Sequence, residues 1–224
     1  MPMIPDSDKE FLRDRFDKEL GNPVLIAVFV RKAAGLDALG LECQFCRETG
    51  ELVNELADLS EKITVQDEEF SPDNWLVKEL GIDKLPAVVL MNDQGAKVGY
   101  YGIPGGFEFK SLVDDIIDVS TNSTTLEPGT RNKVLGLAGD VYIQVFVTPT
   151  CPYCPSAVRT AHRMAIENPS HIRADAVEAT EFPDLIDRYS ITAVPTIVIN
   201  DRVQFEGVVP EEEFADRVIE ALAA

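Results

Sequence analysis

The sequence predicts an α/β protein built from two tandem units, each with a mixed sheet of about four strands flanked by helices. Strand-like and helix-like hydrophobic patterns alternate along its 224 residues, and the same order of patterns occurs twice. A CxxC motif follows the first strand of each half, with Cys43 and Cys46 in the first and Cys151 and Cys154 in the second. We therefore expect two units at residues 1–121 and 122–224.

The first unit is predicted to begin with a helix at residues 8–20, where Ser7 and Glu10 form a capping box and Gly21 ends the helix. The pattern then predicts, in order, a buried strand at 24–30, a helix after Cys46, a strand at 62–67, a helix from Ser71 and Pro72 to Gly81, a strand introduced by Pro86, a hairpin turn at Gly95, a strand at 96–102 and a helix at 106–119.

The second unit follows a polar linker at residues 120–130 and repeats this order. We expect a short helix, a strand at 141–147, a helix after Cys154, a strand at 171–177, a helix at 181–189, a strand introduced by Pro195, a hairpin at Asn200 and Asp201, a strand at 202–207 and a helix from Glu211. Corresponding landmarks in the two halves stand at a nearly constant separation, which indicates a tandem repeat: Cys43 and Cys151, Pro86 and Pro195, Phe109 and Phe214.

Composition excludes several classes of partner. The chain has 39 acidic and 20 basic residues and a net charge of −19, which argues against binding to nucleic acid or to an anionic membrane. No apolar run is long enough for a membrane helix, and the charged N-terminal stretch does not resemble a signal peptide. The expected location is the cytoplasm, where a CxxC motif is more often catalytic than structural.

The second CxxC motif stands at the start of a predicted helix. Pro152 suits the first helical turn, where a missing N–H costs little. Unpaired N–H groups and the helix dipole favour an anion at this end, so they favour the thiolate form of Cys151. Because thiolate is the nucleophile and Cys154 lies one turn further on, Cys154 can close a disulfide onto Cys151 and release a bound partner.

The four cysteines also allow another interpretation, a four-thiolate zinc site. Structural zinc pairs are usually about 15 to 20 residues apart. Here a whole strand-helix-strand pattern separates the two pairs. The spacing therefore favours redox chemistry, and no metal site is predicted.

The CPYC motif between a strand and a helix, followed by the sequence AVPTIVIN, resembles glutaredoxin, a family of the thioredoxin fold. Doubled in one chain, it resembles the protein disulfide oxidoreductases, which fuse two thioredoxin-like units with a CxxC motif in each. This resemblance spans nearly the whole chain. It implies exchange with protein disulfides and no cofactor beyond the redox-active disulfides Cys43–Cys46 and Cys151–Cys154. A flavoprotein thioredoxin reductase is the implied electron donor, with peroxiredoxins or misoxidised proteins as acceptors.

The resemblance also assigns roles to two prolines. Thioredoxin-like proteins hold a cis proline beside the reactive disulfide, so we expect cis bonds at Leu85-Pro86 and Val194-Pro195. The backbone of Leu85 and Val194 would then be free to pair with an extended substrate segment. At the second motif, the Pro152-Tyr153 dipeptide is expected to flank the disulfide and contact substrate, with Tyr153 partly exposed.

The two motifs are not expected to be equally reactive. Glu42 precedes Cys43 and would disfavour a thiolate there if the two side chains approach, because like charges oppose ionisation. The neutral Thr150 precedes Cys151. We therefore predict Cys151 as the more reactive nucleophile and Cys43 as either an electron relay or a second catalytic site.

Other candidate residues carry weaker signals. Arg159 and Arg163 follow the second motif and are interpreted as solvated helix or as a site for a substrate carboxylate. His162 and His171 suggest neither a catalytic triad nor a metal site, and Trp75 is expected to pack. The stretch at 200–207 departs from the pattern by which glutaredoxins bind glutathione.

The leading hypothesis is a thiol–disulfide oxidoreductase that reduces, forms or isomerises protein disulfides, with the CPYC motif as its main site. One alternative is a dedicated electron-transfer module for a peroxiredoxin, like the doubled thioredoxin-fold region of peroxiredoxin-reducing flavoproteins. Another is a zinc-binding, chaperone-like scaffold. The direction of electron flow depends on reduction potentials, which sequence does not reveal.

Overall fold

The computed structural model describes residues 2–31 and 43–223. Its first half contains α1 (Asp6–Glu19), β1 (Val24–Val30), α2 (Cys46–Ala57), β2 (Ile63–Glu69), α3 (Trp75–Leu80), β3 (Ala87–Met91), β4 (Lys97–Tyr101) and α4 (Glu108–Thr121). Its second half contains α5 (Pro128–Leu135), β5 (Val141–Val147), α6 (Cys154–Glu167), β6 (Ile172–Glu178), a 3-10 turn (Ala179–Glu181), α7 (Pro183–Tyr189), β7 (Thr196–Ile199), β8 (Arg202–Glu206) and α8 (Glu211–Ala223). The predicted α/β class, and the same order of elements in each half, are confirmed.

The strands form one continuous sheet. Each half contributes four neighbouring strands, and the order across the sheet is β2-β1-β3-β4-β6-β5-β7-β8. The halves join where β4 pairs with β6 in parallel, with Gly99 opposite Asp175 and Tyr101 opposite Val177. A side chain at position 99 would collide with the Asp175 carboxylate, so glycine permits this close pairing. The two predicted mixed sheets are therefore halves of a single larger one.

Position in the sheet explains the composition of the strands. The strands β1 and β5 are interior, and six of the seven residues in each are buried, which accounts for their apolar runs without alternation. The outer strand β2 ends instead in Asp67, Glu68 and Glu69. Charged side chains on an outer strand discourage pairing with another chain.

The first helix begins earlier than predicted, and the capping box is wrong. The carbonyl of Pro5 accepts hydrogen bonds from the N–H groups of Asp8 and Lys9, and Ser7 lies inside the first turn. The Glu55 carboxylate accepts hydrogen bonds from Met3 and Ile4 N–H, 2.7 and 3.1 Å long. This long-range anchor fixes the chain just before Pro5 and moves the helix start.

The third helix also begins at a different residue. Ser71 Oγ accepts a hydrogen bond from Asp73 N–H, which closes a turn at the predicted helix start. Asn74 Oδ1 caps α3 instead by accepting from Leu76 N–H at 2.8 Å. As the first residue of this short helix, Trp75 points outward and is 69% exposed, so the prediction that it packs is wrong.

The predicted linker is shorter than expected. α4 continues to Thr121 and α5 begins at Pro128, which leaves residues 122–127 between them. Asn122 ends α4 in the left-handed conformation, with φ of 48°. The predicted boundary after residue 121 therefore coincides with the end of a helix. That residues 1–121 and 122–224 act as separate units stays a prediction.

A buried polar cluster ties α4 to α6. The Asp115 carboxylate contacts Arg159, the hydroxyl of Tyr100 and Nδ1 of His162. Burial lowers the pKa of His162 to about 3, so its ring is neutral and donates a hydrogen bond to Asp115 at 2.6 Å. Arg159 also pairs with Asp118 and is only 7% exposed. The interpretation of Arg159 as solvated helix or as a site for a substrate carboxylate is therefore wrong.

A second carboxyl is buried at the start of α4. Glu108 is only 2% exposed, and burial raises its pKa to about 7, against smaller opposing effects of Ser111 and His162. A carboxyl whose pKa is raised in the folded state makes its full contribution to stability at pH values below its unfolded-state pKa of about 4.5, where it is protonated in both states. That contribution is lost as the pH rises through about 7.

Replacing Glu108 with glutamine should therefore flatten the pH dependence of stability. Between pH 5 and pH 8 the free energy of unfolding of the wild type should fall relative to Glu108→Gln by on the order of 2 kcal/mol, because only the wild type must bury a charge. Urea unfolding at both pH values measures this difference. Glu10→Gln, at an exposed position on α1, should follow the wild type. Equal pH dependence in Glu108→Gln and wild type would contradict the assignment.

Candidate active site

Strand pairing places both CxxC motifs at one edge of the sheet. β1 is antiparallel to β3, β3 is antiparallel to β4, and β4, β6 and β5 are mutually parallel. β1 and β5 therefore run in the same direction, and the CxxC motif follows the carboxyl end of each. The crossover from β1 to β2 through α2 and the crossover from β5 to β6 through α6 each move one strand in the same direction along the sheet. Because such crossovers are usually right-handed, both helices lie on the same face of the sheet.

The distance between the two motifs follows from the sheet order. Four strand spacings separate β1 from β5, which is about 19 Å along the sheet. Thiol–disulfide exchange requires one sulfur to attack another directly, and thiolates bind zinc at about 2.3 Å. The two pairs are therefore too far apart to exchange electrons directly or to hold one zinc ion together.

At the second motif, Cys151 and Cys154 form a disulfide with their Cα atoms 5.5 Å apart. Cys154 is fully buried as the first residue of α6, whereas Cys151 is 8% exposed. The backbone N–H of Cys154 donates a hydrogen bond to the Cys151 sulfur at 3.1 Å. A donor at the helix N-terminus favours negative charge on that sulfur. The structure thus leaves only a small part of Cys151 exposed and places a donor that stabilises its thiolate.

The loop before β7 lies against this disulfide. Val194-Pro195 is a cis bond, as predicted, and the Val194 carbonyl oxygen lies 3.8 Å from the Cys151 sulfur. A cleft of about 400 Å³ is lined by Val194 together with Thr148, Thr180 and Ile186. The backbone of Val194 is therefore next to the sulfur of Cys151.

The residues between the cysteines face solvent. Pro152 is exposed, and Tyr153 is 70% exposed. The predicted exposure of Tyr153 is confirmed, while contact of Pro152 and Tyr153 with substrate stays a prediction.

The first motif has the same plan with different surroundings. Cys43 and Cys46 form a disulfide with a Cα separation of 5.5 Å, and Cys46 is buried as the first residue of α2. The backbone N–H of Arg31, at the end of β1, donates to the Cys46 sulfur at 3.2 Å. Leu85-Pro86 is also cis, as predicted, but Leu85 is only 5% exposed. Glu42 lies outside the described residues, so its predicted effect on Cys43 stays a prediction.

Sequence reasoning missed a loop that connects the two sites. Gly102 N–H donates to the carbonyl of cis-Pro86 at 2.9 Å, beside the first motif. Five residues later, Phe107 N–H donates to the carbonyl of Pro149 at 3.0 Å, two residues before Cys151. We call residues 102–107 the bridging loop. The Gly105-Gly106 pair was the local signal for it, since Gly106 has a φ of +59°.

A carboxyl group of the second half also holds the bridging loop near its start. Glu181 Oε1 accepts a hydrogen bond from Ile103 N–H at 2.6 Å. Burial raises the pKa of Glu181 to about 7, although this hydrogen bond acts in the opposite direction. The bridging loop is therefore fixed at both ends and at Ile103.

Two other kinds of site are absent from the described parts of the chain. Across residues 2–31 and 43–223, no group of three or more His, Cys, Asp or Glu side chains is placed to bind a metal ion. In the same residues, every helix is too short or too polar to cross a bilayer.

Comparison with known proteins agrees with this geometry. A family model described as a thioredoxin domain matches residues 141–220. The crystal structure of a protein disulfide oxidoreductase from Aeropyrum pernix K1 superposes with a TM-score of 0.85 and 32% sequence identity. That similarity covers 97% of this chain and 93% of the other.

Two curated relatives show different extents of similarity. The alkyl hydroperoxide reductase component AhpF of Pseudomonas aeruginosa is 28% identical over 180 residues, which are 80% of this chain and 32% of that protein. Thioredoxin from Methanocaldococcus jannaschii is 37% identical over 78 residues, 35% of this chain and 92% of that protein. The chain thus spans about a third of the length of the first of these relatives and contains nearly all of the second.

The contact between the bridging loop and the turn before Cys151 predicts the effect of a small substitution. A Cβ at position 106 would collide with the Pro149 carbonyl, in a backbone conformation that also disfavours side chains. Gly106→Ala should therefore lower the free energy of unfolding by on the order of 2 kcal/mol or more. Urea unfolding measures the change.

Gly50→Ala is the matched control. Gly50 lies inside α2 with open space around its missing Cβ. The same change should therefore raise stability there by about 1 kcal/mol, because alanine is the better helix former. A stable Gly106→Ala variant would show that the bridging loop is not held as tightly as the structure indicates.

Proposed function

We propose, on the premise that this chain belongs to the thioredoxin-fold protein disulfide oxidoreductases, that it exchanges electron pairs with protein disulfides mainly through Cys151 and Cys154. The observation that carries this proposal is which sulfur accepts a backbone hydrogen bond in each motif. At the first motif, Arg31 N–H donates to the sulfur of the buried Cys46. At the second motif, Cys154 N–H donates to the Cys151 sulfur, and Cys151 is 8% exposed while Cys154 is fully buried. This is the arrangement that a nucleophile and a resolving thiol require.

The reaction has two steps in the reducing direction. The Cys151 thiolate attacks one sulfur of the partner disulfide, so that the partner's S–S bond breaks and a mixed disulfide forms while the other partner sulfur leaves as thiolate. Cys154, deprotonated as it reacts, then attacks the Cys151 sulfur and releases the second partner thiolate. The partner gains two electrons, and the Cys151–Cys154 pair becomes the disulfide seen in the structure.

Substrate is held beside Cys151 by the residues around it. The backbone of Val194, before cis-Pro195, faces the reactive sulfur and is placed to pair with an extended substrate segment. Pro152 and Tyr153, between the two cysteines, offer exposed surface. These four residues are therefore proposed to bind substrate.

Cys43 and Cys46 form the second redox site in this proposal, with Leu85 and Pro86 as its substrate-binding residues. The sheet order sets the two sites about 19 Å apart, so an electron pair can pass between them only on a partner that visits both. Cys43 therefore acts as an independent site or as a relay through a mobile carrier. A flavoprotein thioredoxin reductase in the cytoplasm is the proposed electron donor.

The proposal can be tested by insulin reduction with dithiothreitol as electron source. Cys151→Ser should abolish turnover because no thiolate remains to attack the partner. Cys43→Ser is the matched control at the other site and should retain most of the activity. The opposite pattern, with loss on Cys43→Ser alone, would assign the main reaction to the first site. No turnover by the wild type would refute the proposed activity.

The similarity to the alkyl hydroperoxide reductase component AhpF favours a second candidate function, electron delivery to a peroxiredoxin. Pre-reduced protein should then be oxidised rapidly by alkyl hydroperoxide when a peroxiredoxin is present and slowly when it is absent. Cys154→Ser should instead accumulate a mixed disulfide with the peroxiredoxin, visible on a non-reducing gel, because the resolving thiol is missing. Equal oxidation with and without peroxiredoxin would exclude this partner.

A further inference from the structure

The bridging loop places an aromatic side chain of the first half beside the second site. Phe107 N–H is bonded to the Pro149 carbonyl, and only Thr150 lies between Pro149 and Cys151. The Phe107 side chain is 50% exposed, unusually open for a large apolar residue in a structured position. None of the steps proposed above uses it.

We infer that Phe107 is a specificity-determining contact of the second site and binds an apolar side chain next to the reacting cysteine of the protein partner. The inference rests on the proposed exchange at Cys151. It assigns to the first half a direct part in recognising what the second half reduces or oxidises.

The covalent intermediate fixes how close the partner must come. Disulfide-bonded cysteines keep their Cα atoms about 4.4–6.8 Å apart, so the partner backbone passes that close to Cys151. Two extended residues span about 7 Å, which is the greatest separation of Pro149 from Cys151 along the chain. Residues within two or three positions of the partner's cysteine therefore reach the surface around Phe107.

The apolar surface continues on the other side of Cys151. Gly207 N–H donates to the carbonyl of cis-Pro195 at 2.8 Å, which places Val208, 46% exposed, beside the second site. In the sheet order, β4 and β6 lie on one side of β5 while β7 and β8 lie on the other. Phe107 and Val208 therefore flank Cys151 from opposite sides.

This arrangement fits a polypeptide and not a small disulfide. A polypeptide that crosses Cys151 covers both flanks and removes apolar surface from water at each, which strengthens its binding. A small aromatic disulfide reacts at the sulfur without spanning the surface. Phe107 should therefore affect the binding of protein partners and leave the intrinsic reactivity of Cys151 unchanged.

The test compares Phe107→Ala with wild type on two substrates, insulin and 5,5′-dithiobis(2-nitrobenzoate). For insulin, KM should rise roughly threefold or more, because apolar contact is lost, while kcat stays within about twofold. The rate with the small disulfide should not change. Phe11→Ala, which removes the same side chain from a 64% exposed position on α1, is the control and should match wild type on both substrates.

Two outcomes would overturn the inference. An unchanged KM for insulin would show that partners do not contact Phe107. Equal slowing with insulin and with the small disulfide would show that the substitution disturbs Cys151 through the Pro149 turn, and thermal unfolding of the variant would then show whether that turn is loosened. Failure of the proposed function is distinguishable from both, since the wild type itself would then not turn over insulin.

Discussion

The backbone pairing of β4 with β6 is the contact on which the other relations between the two halves depend. It makes one sheet out of two, sets the common direction of β1 and β5, and brings α4 against α6. The Asp115 cluster can form only because this pairing holds the two helices together. The bridging loop follows β4 directly, so its contact with the Pro149 turn has the same origin.

The elements that sequence predicted well are those whose signals are local. The apolar runs of β1 and β5, the left-handed Gly81 and the Asn200-Asp201 hairpin each depend on a few adjacent residues. The helix start at Trp75 depends on which of two nearby residues, Ser71 or Asn74, caps the helix. The helix start at Asp6 depends instead on a partner far along the chain, Glu55. Such contacts between distant residues leave no periodic pattern to read.

The residues of the candidate site also differ in whether local sequence could predict them. The cysteines are visible because CxxC is a local motif with known chemistry, and the two cis prolines follow from the family resemblance. The position of Phe107 beside the second site could not be predicted, because it requires the register of β4 against β6. The burial of Arg159 has the same cause, since its carboxylate partners belong to the other half of the chain.

The common orientation of the two disulfides limits how many partner proteins can bind at the same time. A globular partner of about 100 residues has a radius of gyration of about 13 Å, so its width exceeds the separation of the sites along the sheet. Two such partners would collide, and occupation of one site must then hinder the other sterically. A small carrier that has just left one disulfide stays at high local concentration near the next. Because both sites lie at the same end of the strands, the protein thus favours binding one large partner at a time.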